Sequence, residues 1–153
     1  MMPSVRVLSE PFDADAELSA FASARRGAGA LASFVGYCRE DHEDAPIERL
    51  ELEHYPGFTE SEIERLVESV TARRTLIDLM VIHRSGAIAP REPIVLVAAL
   101  AAHRAHAFGA VEEMMDYLKT DAPFWKHEVT GAGARWVEPT NDDRSRRGRW
   151  SNE

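Results

Sequence analysis

Two runs, residues 76–83 (LIDLMVIH) and 94–101 (IVLVAALA), are nearly continuous in apolar residues, and they constrain the fold more than any other feature of the chain. A strand with one face in water alternates apolar and polar side chains, whereas a run without alternation must be covered on both faces. Both runs therefore read as central strands of a sheet with layers packed above and below. Between them Gly86, Pro90 and Pro93 make a loop.

Residues 101–128 supply one covering layer. Ala107, Val111, Met114 and Leu118 recur at i, i+4, i+7 and i+11 with Phe108 and Met115 beside them, the pattern of an amphipathic helix. Its charges are oddly placed. Lys119 sits at the flank of the apolar face, and Arg104 projects toward that side near the helix start, where free N–H groups disfavour a cation. With no Ser, Thr, Asp or Asn in residues 101–107 to cap those N–H groups, His103 and Arg104 form a seat for phosphate or carboxylate. Asp121-Ala122-Pro123 ends the helix, and Lys126 follows seven residues after Lys119.

The remaining elements follow from shorter signals. Residues 5–8 read as a strand, and Asp13 or Asp15 caps a helix over 16–24 that stops at Arg25-Arg26-Gly27. Residues 31–38 and 47–54 read as two strands of one hairpin, with Arg39 and the acidic run 40–44 as its long, mobile tip. Thr59 and Glu62 form a capping box for a helix lined by Ile63, Leu66, Val67 and Val70. Residues 128–130 and 135–138 form a small hairpin around Gly131-Ala132-Gly133, and the charged tail 141–153 is extended or poorly ordered. Strands and helices mixed without strict alternation predict an α+β sandwich, with one domain over residues 1–140 followed by the tail.

Composition narrows the chemistry. With 26 acidic against 18 basic residues the net charge is −8, which argues against non-specific nucleic-acid binding and makes any anion site a local basic pocket. A single cysteine, Cys38, leaves no disulfide framework or cysteine-based zinc site, and no signal pattern or membrane-length apolar run is present, so a cytoplasmic protein is expected. Gly27-Ala28-Gly29-Ala30 lacks phosphate-loop spacing and reads as a turn. His103 and His106 could face one metal ion but have no third ligand at matching spacing, so neither a metal nor another cofactor is expected.

What remains is lysine chemistry. Two lysines in a partly apolar pocket depress each other's pKa, because like charge and desolvation both disfavour the ammonium. Lys119 and Lys126 are then the proton-transfer or acyl-transfer groups, with Arg39, His103 and Arg104 holding an anion. One helix cannot serve a single small site from both ends: fifteen residues from Arg104 to Lys119 span roughly 22 Å. Either the chain carries two separate sites, or a symmetric dimer brings His103 and Arg104 of one copy beside Lys119 and Lys126 of the other, and the dimer is the favoured expectation.

The segments SFVGYCR (33–39), LELEHYPGFTE (50–60), VIHRSG (81–86), AHRAHAFGA (102–110), MDYLKTDAPFWKHE (115–128) and RWVE (135–138) resemble, in order, the large catalytic subunits of molybdopterin synthase. The resemblance implies an α/β hammerhead fold with an antiparallel sheet, packed helices and a small additional β subdomain. It implies a sulfurtransferase that converts cyclic pyranopterin monophosphate into molybdopterin. The sulfur comes from a thiocarboxylate on the C-terminal Gly-Gly of a small ubiquitin-like carrier, within a heterotetramer built on a homodimer. By motif, Lys119 and Lys126 are implied as catalytic, Arg39, His103 and Arg104 as phosphate-binding, and Phe34, Met115 and Glu128 as lining or supporting residues. The alternative is a non-catalytic docking module for a ubiquitin-like tail. Cys38, Ser85 and Ala87 depart from the family pattern. So does Thr140, which stands where some members carry an anion-binding basic residue, with Arg144, Arg146 or Arg147 as substitutes.

Overall fold

A computed structural model describes residues 4–150. Its first sheet has the order β1 (Val5–Leu8), β5 (Asp78–Arg84), β7 (Pro93–Ala101), β2 (Ala30–Tyr37), antiparallel except for the parallel pair of β1 and β5. The two apolar runs are its central strands, as their lack of alternation predicts. Leu79 and Val81 on β5, with Val95, Val97 and Ala99 on β7, face a core shared with α2 (Phe58–Arg73) and α3 (Arg104–Thr120). The intervening Met80, Ile82, Leu96 and Ala98 face α1 (Ala14–Ser23) through Phe21. From Leu79 to Arg84 and from Val95 to Ala101 every position is thus withdrawn from water, and burying such apolar side chains contributes about 1.5–3 kcal/mol each.

The second sheet has the order β3 (Asp41–His42), β4 (Ala45–His54), β8 (Phe124–Thr130), β9 (Gly133–Val137), with β6 (Gly86–Ile88) on the other side of β4. Three sequence expectations change here. The expected hairpin of residues 31–38 with 47–54 does not form: β2 pairs with β7 and β4 with β8, in separate sheets. The parting point is a register shift at Gly36/Tyr37, after which Cys38 exchanges backbone hydrogen bonds with Glu92 (2.9 Å) and Arg91 (2.7 Å). Residues 41–46 form a tight hairpin of their own, turned by Glu43 and Asp44 at positive φ, instead of an open tip. The loop between the central strands contains β6, whose Ile88 pairs with Leu50 and is fully buried.

Helix ends show two further differences. Thr59 lies inside the first turn of α2, where its hydroxyl donates to the Tyr55 carbonyl (2.9 Å), and it is Glu60 that accepts from the N–H of Gly57, the N-cap. The tail is not extended through its described part: α4 (Asn141–Gly148) is a helix. Thr140 Oγ1 accepts from Asp143 N (3.0 Å) and Asp143 Oδ2 from Thr140 N (2.9 Å), a reciprocal cap. Arg147 to Asp121 (2.8 Å), Arg149 to Asp116 (3.0 Å) and Trp150 Nε1 to Asp116 (2.8 Å) then staple this helix to α3. Residues 151–153 of the expected tail lie outside the described residues.

Candidate active site

A cavity of about 600 Å³ opens where the two sheets meet the C-terminal end of α3. Its floor comes from β8, which starts at Phe124, four residues earlier than the sequence pattern suggests. Because side chains alternate along a strand, that start places Phe124, Lys126 and Glu128 on one face, all three in the cavity wall, while Trp125 and His127 point away. Lys119 enters from the last turn of α3, a position where the helix dipole favours a cation. Phe34 comes from β2 and Arg39 from the segment beyond it, and residues 138–140 with Asp143 complete the wall.

Lys126 lies opposite Leu52 on β4 and Val137 on β9, so its stem is wrapped in apolar side chains. Its pKa falls to about 8, first because burial disfavours the ammonium and then through the charge of Lys119, with Asp143 pulling the other way. Near neutral pH a minor fraction of the amine is then neutral, far more than an ordinary lysine carries. Glu128 is 5% exposed and faces two guanidiniums, Arg39 (3.9 Å) and Arg135 (3.4 Å). Arg39 also donates to His42 Nδ1 (2.9 Å), which holds its side chain at the rim. Cys38 lines the wall, and burial raises its thiol pKa, so it stays protonated.

Five of the eight residues singled out in the sequence therefore share one cavity: Phe34, Arg39, Lys119, Lys126 and Glu128. His103 and Arg104 do not join them within this chain. They stand exposed at the start of α3, and their side chains make no hydrogen bond or ion pair among the described residues. His103 is the N-cap without a side-chain cap, as the absence of capping residue types predicts. Met115 packs against the core under α3 and supports the helix without lining the cavity. The arginines expected to compensate for Thr140 are engaged elsewhere: Arg147 with Asp121, Arg146 with Asp142 (3.0 Å), and Arg144 next to Asn141 (3.5 Å). Thr140 itself is used as a helix cap.

Two wall residues escape a reading by spacing. Asp143 reaches the cavity only because the tail folds back as a helix. His83 is the last residue of the apolar run and the last but one of β5, and its ring, stacked on Phe124 (3.9 Å between centroids, 16° between planes), lines the same wall as the lysines.

Comparison with known proteins gives one answer. A family model described as the MoaE protein matches residues 7–121. A molybdopterin synthase catalytic subunit of Cereibacter sphaeroides is 49% identical over 146 residues, covering 95% of this chain and 99% of its own. One from Ralstonia nicotianae is 46% identical over 149 residues, covering 97% and 85%. The solved structure of a molybdopterin biosynthesis MoaE protein from Burkholderia ambifaria MC40-6 aligns with a TM-score of 0.82 at 41% identity, covering 99% of this chain and 100% of that one. The mixed fold agrees with these matches, and the chain belongs to the MoaE protein family.

Proposed function

We propose that this chain is the sulfur-transferring subunit of a molybdopterin synthase, acting on cyclic pyranopterin monophosphate with a thiocarboxylated, ubiquitin-like carrier as sulfur donor. The observation that carries the reading is the meeting of Lys119, Lys126, Arg39, Phe34 and Glu128 around one cavity large enough for a pterin-sized molecule. The names of the relatives support the partner as well, since a catalytic subunit works beside another.

In the proposed reaction the carrier's thiocarboxylate sulfur bonds to a side-chain carbon of the pterin, and an oxygen leaving group departs with a proton. Water then cleaves the acyl C–S bond, so that the carrier leaves as a carboxylate and the sulfur stays on the pterin. Neither step changes oxidation state. Lys126, partly neutral, takes the proton from the attacking water, and the Lys119 Nζ donates to the acyl oxygen as charge develops there. Arg39 leaves His42 and Glu128 to bind phosphate, while Glu128 keeps that arginine at the rim until substrate arrives. His103 and Arg104 come from a second copy in a dimer, with one carrier per copy.

The test mixes purified protein, thiocarboxylated carrier and cyclic pyranopterin monophosphate and detects dithiolene product by mass spectrometry. Native protein makes product, and Lys119→Ala makes about 100-fold less or none. Binding of the carrier without product from the native protein would refute the reading and leave a docking module.

A further inference from the structure

His83 is 4% exposed, lies in the wall of the lysine cavity, and has no part in the chemistry above. Its Nδ1 is 2.8 Å from the Arg84 carbonyl oxygen. A carbonyl can only accept, so Nδ1 carries the proton and Nε2 keeps its lone pair. Nε2 has no hydrogen-bond partner among the described residues. The ring lies flat on Phe124, and Phe124 and Lys126 project from the same face of β8, two residues or roughly 6.6 Å apart along the strand. A fixed acceptor thus shares the cavity wall with Lys126, and no described residue uses it.

We propose that His83 is a positioning residue for Lys126, its Nε2 accepting a hydrogen bond from the lysine Nζ and aiming the nitrogen lone pair at the reacting centre. In this structure Nε2 is unbonded among the described residues, so the bond is one that the Lys126 side chain makes on turning toward the ring; its role in turnover rests on the lysine reading above, its formation does not. An imidazole is suited to the task only while it stays neutral, and burial, then the charges of Lys126, Lys119 and His54, push His83 down to about 3, with the Arg84 carbonyl opposing. It therefore remains an acceptor throughout the range in which Lys126 titrates. The charged and titratable groups sharing the wall with Lys126 are Lys119 on α3, Asp143 on α4, Tyr37, Cys38 and Arg39 at and beyond the end of β2, Glu128 on β8 and Glu138 after β9, while His54 on β4 lies against Phe124 (5.9 Å between centroids). Of these only His54 is a second imidazole, and its ring is tilted 41° to Phe124 where that of His83 lies nearly flat on it.

The experiment titrates Lys126 directly in the full chain, by limiting acetic anhydride at a series of pH values with mass-spectrometric readout of the Lys126 peptide. His83→Phe keeps the stack and removes the acceptor. His83→Gln places an amide oxygen near the Nε2 position, and His83→Asn keeps a donor to the Arg84 carbonyl but withdraws the acceptor. An acceptor favours the ammonium, so its loss lowers the midpoint: His83→Phe and His83→Asn shift it acidward by about half a pH unit or more, and His83→Gln returns it toward native. In the synthase assay the same two variants lose about 10-fold in kcat with KM unchanged, and His83→Gln recovers part of it. Equal midpoints in native protein, His83→Phe and His83→Asn would overturn the proposal. A native protein without synthase activity would refute the functional reading while leaving the labelling result to stand or fall alone.

Discussion

Lys126 and His83 are buried titratable groups whose charged forms are disfavoured by burial, and each leaves a signature in stability as well as chemistry. The folded chain holds Lys126 at about 8 against an ordinary 10.5, so between those values the unfolded chain binds more protons and stability rises with pH. Below about 8 the full penalty is present. Lys126→Met should stabilise the protein at pH 7 by about 2 kcal/mol, and the gain should shrink toward pH 10.5, as denaturant titrations at both pH values would show. His83 carries the opposite consequence. Its folded value of about 3 against 6.5 means that stability is complete above pH 6.5 and falls as the pH drops toward 3. His83→Phe should remove a few kcal/mol of that loss, read as a flatter acid limb of the melting temperature. Of these two residues only the lysine was legible in the sequence, because its clue was spacing along one helix and one strand. His83 owes its place to a ring stacked across two sheets, and no local pattern encodes that.

Elements were legible where burial on both faces or a cap dictated them. The central strands β5 and β7, the Asp13 cap of α1 and the Asp121 end of α3 all stand close to where periodicity and punctuation put them. Partner choice was not legible: β2 and β4 are adjacent in the chain and each has strand composition, yet they part at Gly36/Tyr37 because β7 offers β2 a longer apolar ladder. Nor was α4, whose helix is stabilised by ion pairs to α3 more than by any apolar face. Two measurements address this scale. Gly29 donates to the Ala101 carbonyl (3.0 Å), and a Cβ there would overlap the Ala102 carbonyl oxygen, rigid backbone that cannot yield. Gly29→Ala should therefore cost about 2–4 kcal/mol of unfolding free energy. Thr140→Ala removes one half of the α4 cap and should cost only about 1 kcal/mol globally, while raising amide exchange across residues 141–148.

For the whole molecule, the placement of α3 decides how the site is completed. One end of this 17-residue helix delivers Lys119 to the cavity, and the other presents His103 and Arg104, exposed, at a distance no small substrate spans. The measurement that tests the account most directly is dithiolene formation by Arg104→Ala, by Lys119→Ala, and by the two mixed under subunit exchange. Each variant alone should be inactive or nearly so. In the mixture half of the dimers pair the two variants, and each such dimer holds one intact site of two, so about a quarter of native activity should return. Native-like product from Lys119→Ala alone would contradict the lysine cavity as the sulfur-transfer site, and a mixture as inactive as its parts would contradict the shared, dimeric one.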